Sequence, residues 1–533
     1  MNGRGVPTRN TERQWERAQR YIVEGQFAAA RAALESLLSH TPEDLQARLL
    51  LSSVLLKLGL LREAARELLM AARERPDDAS TIHRVVYCLH QVGETAAMHD
   101  CLDHPSIESC RDPGILVALA HMHQLLGAHE RALSLMDRAS SLGLDDPDFR
   151  YFRSLQLQFN GRMKEAEAEL EACVRNGPNY GRAWLALARI RRQTPEQNHL
   201  DEITAQLGRV EAGSEHHAAL EFARFKELDD LGRIEEAWQA LQRGNAIMHA
   251  RGPHDSQREA RQFDTIIRTC DTAFLQRSQD GPKDDDGPQP IFIVGMPRSG
   301  TTLLERILGN HSQVASPGEL QDFPRQLRWV ADLHGVEIID DALLERAAGL
   351  DYCLLAQRYL QQSRWRAGGK RFYIDKLPPN FMLAGFIHAA LPRARILHMQ
   401  REPVDVCFSN WKAMFGDSHV YSYNLNTLAA HYRQYVRLMA HWRREMPEVI
   451  LDIDYARLVE DPEAVAREVL CFCHLPYEPG CTDIGRNRSP VSTISSPQVR
   501  ESIHRRAVGA WRPYASELEP LRQALITPRP GPR

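Results

Sequence analysis

Ile291-Phe-Ile-Val294 is a short apolar run of β-prone residues, and Gly295-Met-Pro-Arg-Ser-Gly300-Thr-Thr302 follows it directly. Leu303, Leu304, Ile307 and Leu308 then recur at helical spacing. Strand, glycine-containing loop and helix in this order predict a phosphate cradle. The first N–H groups of a helix have no intrahelical acceptor and point at any anion held there. Arg298, Gly300 and the hydroxyls of Ser299, Thr301 and Thr302 all belong to that loop or to the first turn. A second strand-like run, Ala394-Arg-Ile-Leu-His-Met399, leads to Arg401, and Ser409 stands eight residues further on. An Arg at a strand end and a Ser two helical turns later can grip one phosphate from two sides. Glu319, in Ser316-Pro-Gly-Glu319, offers a loop carboxylate able to take a proton from a reacting hydroxyl. Glu305, on the helix after the loop, is the competing carboxylate and is expected in a surface ion pair with a neighbouring Arg. Lys376, after the strand-like Phe372-Tyr-Ile374, is one of only seven lysines in the chain; the plain alternative for it is a surface pair with Asp375.

The loop has the spacing of the G-x-x-x-x-G-K-[ST] nucleotide motif, but Thr301 stands where that motif has its Lys. Without the cation that grips β and γ phosphates, an ATPase or kinase is disfavoured. The sequence Pro297-Arg-Ser-Gly-Thr-Thr302 after an apolar strand instead resembles the 5'-phosphosulfate loop of sulfotransferases, which use 3'-phosphoadenylyl sulfate (PAPS). The likeness is greatest to tyrosylprotein sulfotransferases and to bacterial proteins that join tetratricopeptide repeats to a sulfotransferase domain. It implies that Arg298, Ser299, Gly300, Thr301 and Thr302 hold the 5'-phosphosulfate, and that Arg401 and Ser409 hold the 3'-phosphate. It makes Glu319 the catalytic base. Lys376, in Asp375-Lys-Leu-Pro378, would stabilise charge on the bridging oxygen as the sulfuryl group leaves. Ser495 would help to hold the transferring group, and Tyr455 would sit at the nucleotide. The chain departs from the family's pattern at Ala510, where relatives carry a basic residue before Trp511, and at Ala456 and Arg457, where they carry acids. No metal is expected, because a sulfuryl group carries less charge than a transferring phosphoryl and placed cations suffice. His311, His388, His398 and His419 show no ligand spacing.

These groups need a scaffold, and the N-terminal half predicts one by repetition. Gly25, Gly59, Gly93, Gly127 and Gly161 fall at intervals of 34 residues. Ala30, Ala64, Ala132 and Ala166 stand five residues after four of them, and Met98 takes that place in the third unit. Pro42, Pro76 and Pro178 fall seventeen residues after Gly25, Gly59 and Gly161. A Gly that ends one helix, a small residue that lets the next pack closely and a Pro that stops it describe a helical hairpin. The pattern resembles the tetratricopeptide repeat, with Trp184 at its aromatic position and Gly232-Arg-Ile-Glu-Glu-Ala237 opening a last clear unit. Such solenoids present a groove for a peptide or partner protein; the plain alternatives are a spacer or self-association as a homodimer.

The predicted fold is therefore an all-α tetratricopeptide solenoid of six or seven repeats over residues 11–250, then a connecting helix and linker over 251–289. A P-loop-like α/β sulfotransferase domain with a central parallel sheet spans 290–520, and a flexible tail 521–533. The 533 residues, 43% apolar and 26% charged, supply core enough for this and exclude a disordered chain. A formal net charge of −4 argues against a nucleic-acid binder. Neither a signal peptide nor a membrane-spanning run is visible, and ten scattered Cys without metal spacing read as reduced thiols, so a cytoplasmic location is expected. The acceptor stays open: a tyrosine of a recruited protein is favoured, with a glycan or small molecule, or a non-catalytic scaffold, as alternatives.

Overall fold

The computed structural model describes residues 9–74, 76, 78–277, 287–487, 489–492 and 502–526. The chain forms two compact units, and neither follows one half of the sequence.

The first unit comprises residues 1–143 together with 280–285 and 321–366. Helices Arg9–Val23 and Phe27–His40, Leu45–Lys57 and Leu61–Arg73, Ala79–Gln91 and Thr95–Leu102, and Pro113–Leu125 and His129–Ser141 pair as hairpins. Gly25, Gly59, Gly93 and Gly127 stand at the turns with φ of 72–78°, a conformation a side chain would strain. Ala30, Ala64, Met98 and Ala132 are fully buried at the crossing points. A further 34-residue signal marks the start of each following hairpin: Asp44, Asp78, Asp112 and Asp146 each cap the next helix by accepting from its first-turn N–H groups.

The third hairpin has a second helix of only eight residues, and it carries an insert drawn from the C-terminal half. Helices Asp322–Ala331 and Tyr352–Ser363 pack together, and the latter lies on Thr95–Leu102. Polar contacts lock them: Arg358 Nη2 donates to Glu94 Oε1 at 2.6 Å, Gln362 Nε2 to Glu94 Oε2 at 2.8 Å, and Thr95 Oγ1 to Asp322 Oδ1 at 2.7 Å. Arg325 Nη1 donates to the His90 carbonyl at 2.7 Å, and burial and this Arg push the His90 imidazole down to about 3.

The second unit comprises residues 144–279, 286–320 and 367–533. It holds the hairpins Pro147–Phe159 with Met163–Asn176 and Glu215–Asp230 with Ile234–Arg251, and helices Gly181–Ile190 and Leu200–Leu207 between them. Residues 251–289 hold the helices Ser256–Thr269 and Thr272–Arg277. A five-stranded, wholly parallel sheet follows: β1 (Gln289–Gly295), β2 (Val314–Ala315), β3 (Phe372–Lys376), β4 (Arg395–Gln400) and β5 (Ile450–Asp454), in the order β2-β3-β1-β4-β5. Six of the seven β1 residues are buried, as a central parallel strand covered on both faces requires. The helix Glu519–Ile526 covers the start of the expected tail, which is not extended there.

Within this unit the last hairpin grips the segment after β4. Trp238 packs on Trp411 at 4.5 Å between ring centroids, Asn245 Nδ2 donates to the Trp411 carbonyl at 3.2 Å, and Tyr514 OH donates to Asp229 at 2.6 Å.

Candidate functional site

Four strands of the sheet deliver their carboxyl ends to one edge, and each delivers a residue singled out above: the Gly295–Thr302 loop after β1, Lys376 at the end of β3, Arg401 just after β4 and Tyr455 just after β5. Chain order reverses about β1, with β3 on one side and β4 on the other. In open α/β sheets the crevice at such a reversal is where ligands bind.

The loop cannot be built from other residues. At Gly295 (φ 148°) a Cβ would lie 2.7 Å from the Met399 carbonyl oxygen, and at Gly300 (φ 109°) it would lie 2.5 Å from the Tyr455 ring. Arg298 itself takes a left-handed φ of 66°. The turn exposes the amino end of the nine-residue helix Thr301–Gly309, with Thr301 and Thr302 buried in its first turn. Ser299 is 1% exposed, and its Oγ has no hydrogen-bond partner among the described residues. An enclosed hydroxyl without a partner, beside unpaired helix N–H groups, is a donor set suited to an oxyanion.

Arg401 lies beside this loop. Its Nη1 donates to the Arg298 carbonyl at 3.0 Å, its Nη2 to the Ala507 carbonyl, and its guanidinium covers the Tyr455 ring at 5.1 Å. Asp405 Oδ1 is 3.8 Å from it, while Asp405 Oδ2 accepts from the Gly509 N–H at 2.7 Å. The buried Nε of Arg401 has no partner among the described residues. Ser409 stands partly buried on the helix Pro403–Trp411, and Asn410 Nδ2 of that helix holds the Pro297 carbonyl at 2.7 Å. Arg505, five residues before Ala510, is paired with Glu460.

Glu319 and Lys376 meet. Lys376 is fully buried, and its Nζ donates to Glu319 Oε1 at 2.7 Å. Its second neighbour is Glu305 Oε2 at 3.5 Å, and Glu305 Oε1 accepts from Ser316 Oγ at 2.9 Å. Two expectations are corrected here. Glu305 is 5% exposed and pairs with Lys376 rather than with a surface Arg. Asp375 is no partner of Lys376, because consecutive strand residues face opposite sides of the sheet; it accepts weakly from Asn380 at 3.4 Å. Burial opposes the charge on Lys376, but Glu319 and Glu305 outweigh it and hold its pKa above the ordinary value. Ser495 lies outside the described residues.

His398 is buried between Asp452 (Nδ1 to Oδ1, 2.6 Å) and Tyr435, and His431 stacks on Tyr421 at 3.6 Å. Both serve packing. Among the described residues, no group of three or more His, Cys, Asp or Glu side chains is placed to hold a metal, and no helix is long and apolar enough to cross a membrane.

A parallel sheet with an anion loop after its first strand defines an open α/β domain of the anion-binding kind, and comparison with known proteins specifies it. The model of the sulfotransferase family matches residues 290–479, and a tetratricopeptide-repeat model matches residues 21–86. The chain thus carries a sulfotransferase-family domain and a tetratricopeptide-repeat region. An uncharacterized protein of Aquifex aeolicus is 31% identical over 323 residues, covering 58% of this chain and 41% of that protein. Nodulation protein NoeE of Sinorhizobium fredii is 26% identical over 263 residues, covering 43% of this chain and 61% of that protein. A putative protein-tyrosine sulfotransferase of Caenorhabditis briggsae is 26% identical over 248 residues, covering 43% of this chain and 82% of that protein. The chain spans less than two thirds of the length of the first two.

Proposed function

We propose that the protein is a sulfotransferase that moves the sulfuryl group of PAPS to an acceptor hydroxyl. The observation that carries this reading is the single sheet edge at which a cation-flanked anion loop and a Glu–Lys–Glu cluster converge. Arg298, Ser299, Gly300, Thr301 and Thr302 hold the 5'-phosphosulfate through backbone N–H groups, hydroxyls and one guanidinium. Arg401 and Ser409 take the 3'-phosphate, and Tyr455, which closes over Gly300, packs beside the nucleotide. The acceptor oxygen attacks sulfur in line and its proton passes to Glu319. The bond from sulfur to the bridging oxygen breaks, and adenosine 3',5'-bisphosphate departs with the electron pair. Lys376 stabilises the charge that gathers on that oxygen, and Ser495 assists in holding the transferring group.

A protein tyrosine is the acceptor we favour, supported by the likeness to a putative protein-tyrosine sulfotransferase. A recruiting role for the repeats is supported by a cleft in the first hairpins, floored by Leu51, Leu55 and Leu69 and rimmed by Glu35, Glu63 and Arg66. All ten cysteines are free thiols, which fits a reducing cytoplasm. The protein should be incubated with radiolabelled PAPS and cell lysate, and label read separately in protein, glycan and small-molecule fractions. Label on protein tyrosine is expected. Label confined to another fraction would refute the acceptor, and no transfer at all would refute the activity.

Arg401→Ala should weaken binding of adenosine 3',5'-bisphosphate by about 10–100-fold, since a charge-assisted contact contributes about 1.5–3 kcal/mol. Titration calorimetry checks this, and unchanged affinity would remove Arg401 from the 3'-phosphate site.

A further inference from the structure

Arg189 is the penultimate residue of the helix Gly181–Ile190, in the repeat region and far in sequence from every residue of the candidate site. Its Nη2 donates to the Lys412 carbonyl at 3.4 Å. Lys412 caps, through its N–H, the helix whose Asn410 fastens the anion loop at Pro297, and Trp238 and Asn245 hold the preceding residue, Trp411, in place. Arg189 is therefore braced against the end of the element that carries Ser409.

Cations predominate around it, with Asp405 3.8 Å from Arg401 and Asp229 favouring the charge on Lys412. After burial, Arg189 is the largest influence lowering the pKa of Arg298, ahead of Arg401, and Lys412 is lowered by burial and by both Arg298 and Arg401 despite Asp229. Burial brings the Arg189 guanidinium down to about 10, opposed by Tyr151 and Tyr423. Among the described residues, no carboxylate comes within ion-pair distance of Arg189 or Lys412. Asp229 is occupied by Tyr514, and Lys226 pairs with Asp230. A buried cation with no carboxylate within ion-pair distance is unfavourable until an anion comes beside it. The anion loop is tied to the same helix through Asn410.

We infer that Arg189 is a donor-binding residue supplied by the solenoid, its guanidinium meeting the phosphosulfate end of PAPS beside Arg298 and Lys412. This rests on the reading of the site as a PAPS site. The last repeats then complete the anion site as well as standing ahead of it in sequence.

PAPS binding without acceptor is measured by titration calorimetry on the full chain. Arg189→Gln should bind PAPS about ten-fold or more weakly, as expected for loss of one charge-assisted contact. Arg189→Lys should recover most of that loss. The ligand-free thermal midpoint of Arg189→Gln should stay level or rise, because a like charge has been removed, whereas a structural role would lower it. Equal losses for PAPS and adenosine 3',5'-bisphosphate would place the contact at a phosphate the two share, and a loss for PAPS alone would place it at the sulfuryl group. PAPS affinity left unchanged in Arg189→Gln overturns the inference, whether or not acceptor saturation weakens. So does a lowered midpoint with weak binding that Arg189→Lys does not restore. If the unaltered protein binds neither nucleotide, the donor reading itself fails.

Discussion

Glu319→Gln should leave PAPS binding intact and lower sulfuryl transfer by about 10²–10⁴-fold, the usual share of a positioned general base. The geometry separates the two effects. Glu319 lies on the loop that follows β2, one residue after Gly318 at φ 92°, and is not among the donors of the anion loop. Its side chain is 39% exposed, so an acceptor can reach it, while the Lys376 ammonium fixes Oε1 at 2.7 Å. Oε2 makes no hydrogen bond among the described residues and is the oxygen left to receive the acceptor proton. Gln keeps the shape and an oxygen for Lys376 but cannot take up that proton. The check is a single-turnover assay with saturating labelled PAPS, beside a calorimetric dissociation constant for the same variant. Full transfer with normal affinity would move the role of base elsewhere, and Glu305 would be the next carboxylate to test.

Why the site was partly legible follows from where each signal resides. The anion loop announces itself because its chemistry is local: strand, loop and helix are contiguous, and Gly295 and Gly300 are required by backbone approach within that stretch. The repeats are legible because one physical problem recurs every 34 residues. The Asp capping positions at 44, 78, 112 and 146 carried the same period, a signal the glycine count had already made redundant. Glu305 was misjudged for a definite reason. Amphipathic reasoning assumes a solvent face, but Thr301 through Leu308 are all buried, so Glu305 has no solvent to face and turns toward Lys376. The insert of residues 321–366 is invisible in sequence because Glu94 and Thr95 find their partners more than two hundred positions away. Its one trace is the irregular third repeat, with Met98 in place of Ala. Arg189 had no mark either, since an Arg near a helix end in an Arg-rich chain is unremarkable until the fold brings Lys412 beside it. Two of seven lysines, 376 and 412, thus stand at the candidate site, which composition alone did not distinguish.

Lys376→Met should abolish measurable transfer and also destabilise the catalytic unit, and a second substitution separates the two losses. The fully buried ammonium answers two carboxylates. Removing it strands Glu305, 5% exposed, with the Ser316 hydroxyl as its one remaining hydrogen-bond partner among the described residues. Breaking a buried pair in this way costs about 3–5 kcal/mol, because the remaining carboxylate must stay charged without a partner or take up a proton. The thermal midpoint should fall accordingly. Lys376→Met with Glu305→Gln removes the stranded charge and should recover most of the midpoint. Transfer should remain lost, since nothing then faces the bridging oxygen and electrostatic stabilisation of this kind contributes about 10²–10³-fold. Recovery of transfer in the double variant would show that Lys376 serves only to hold Glu305. The pH dependence points the same way. A base whose folded pKa is raised contributes stability that is fully present below its ordinary value, here 10.5, and is lost as pH climbs through the raised value. Lys376 should therefore stay protonated, and cause no alkaline loss of transfer, up to about pH 10. Glu305→Gln withdraws one of the two charges that overcome burial, so an alkaline loss should appear at lower pH in that variant than in the unaltered protein. An identical pH profile in the two would mean that Glu305 does not set the charge of Lys376.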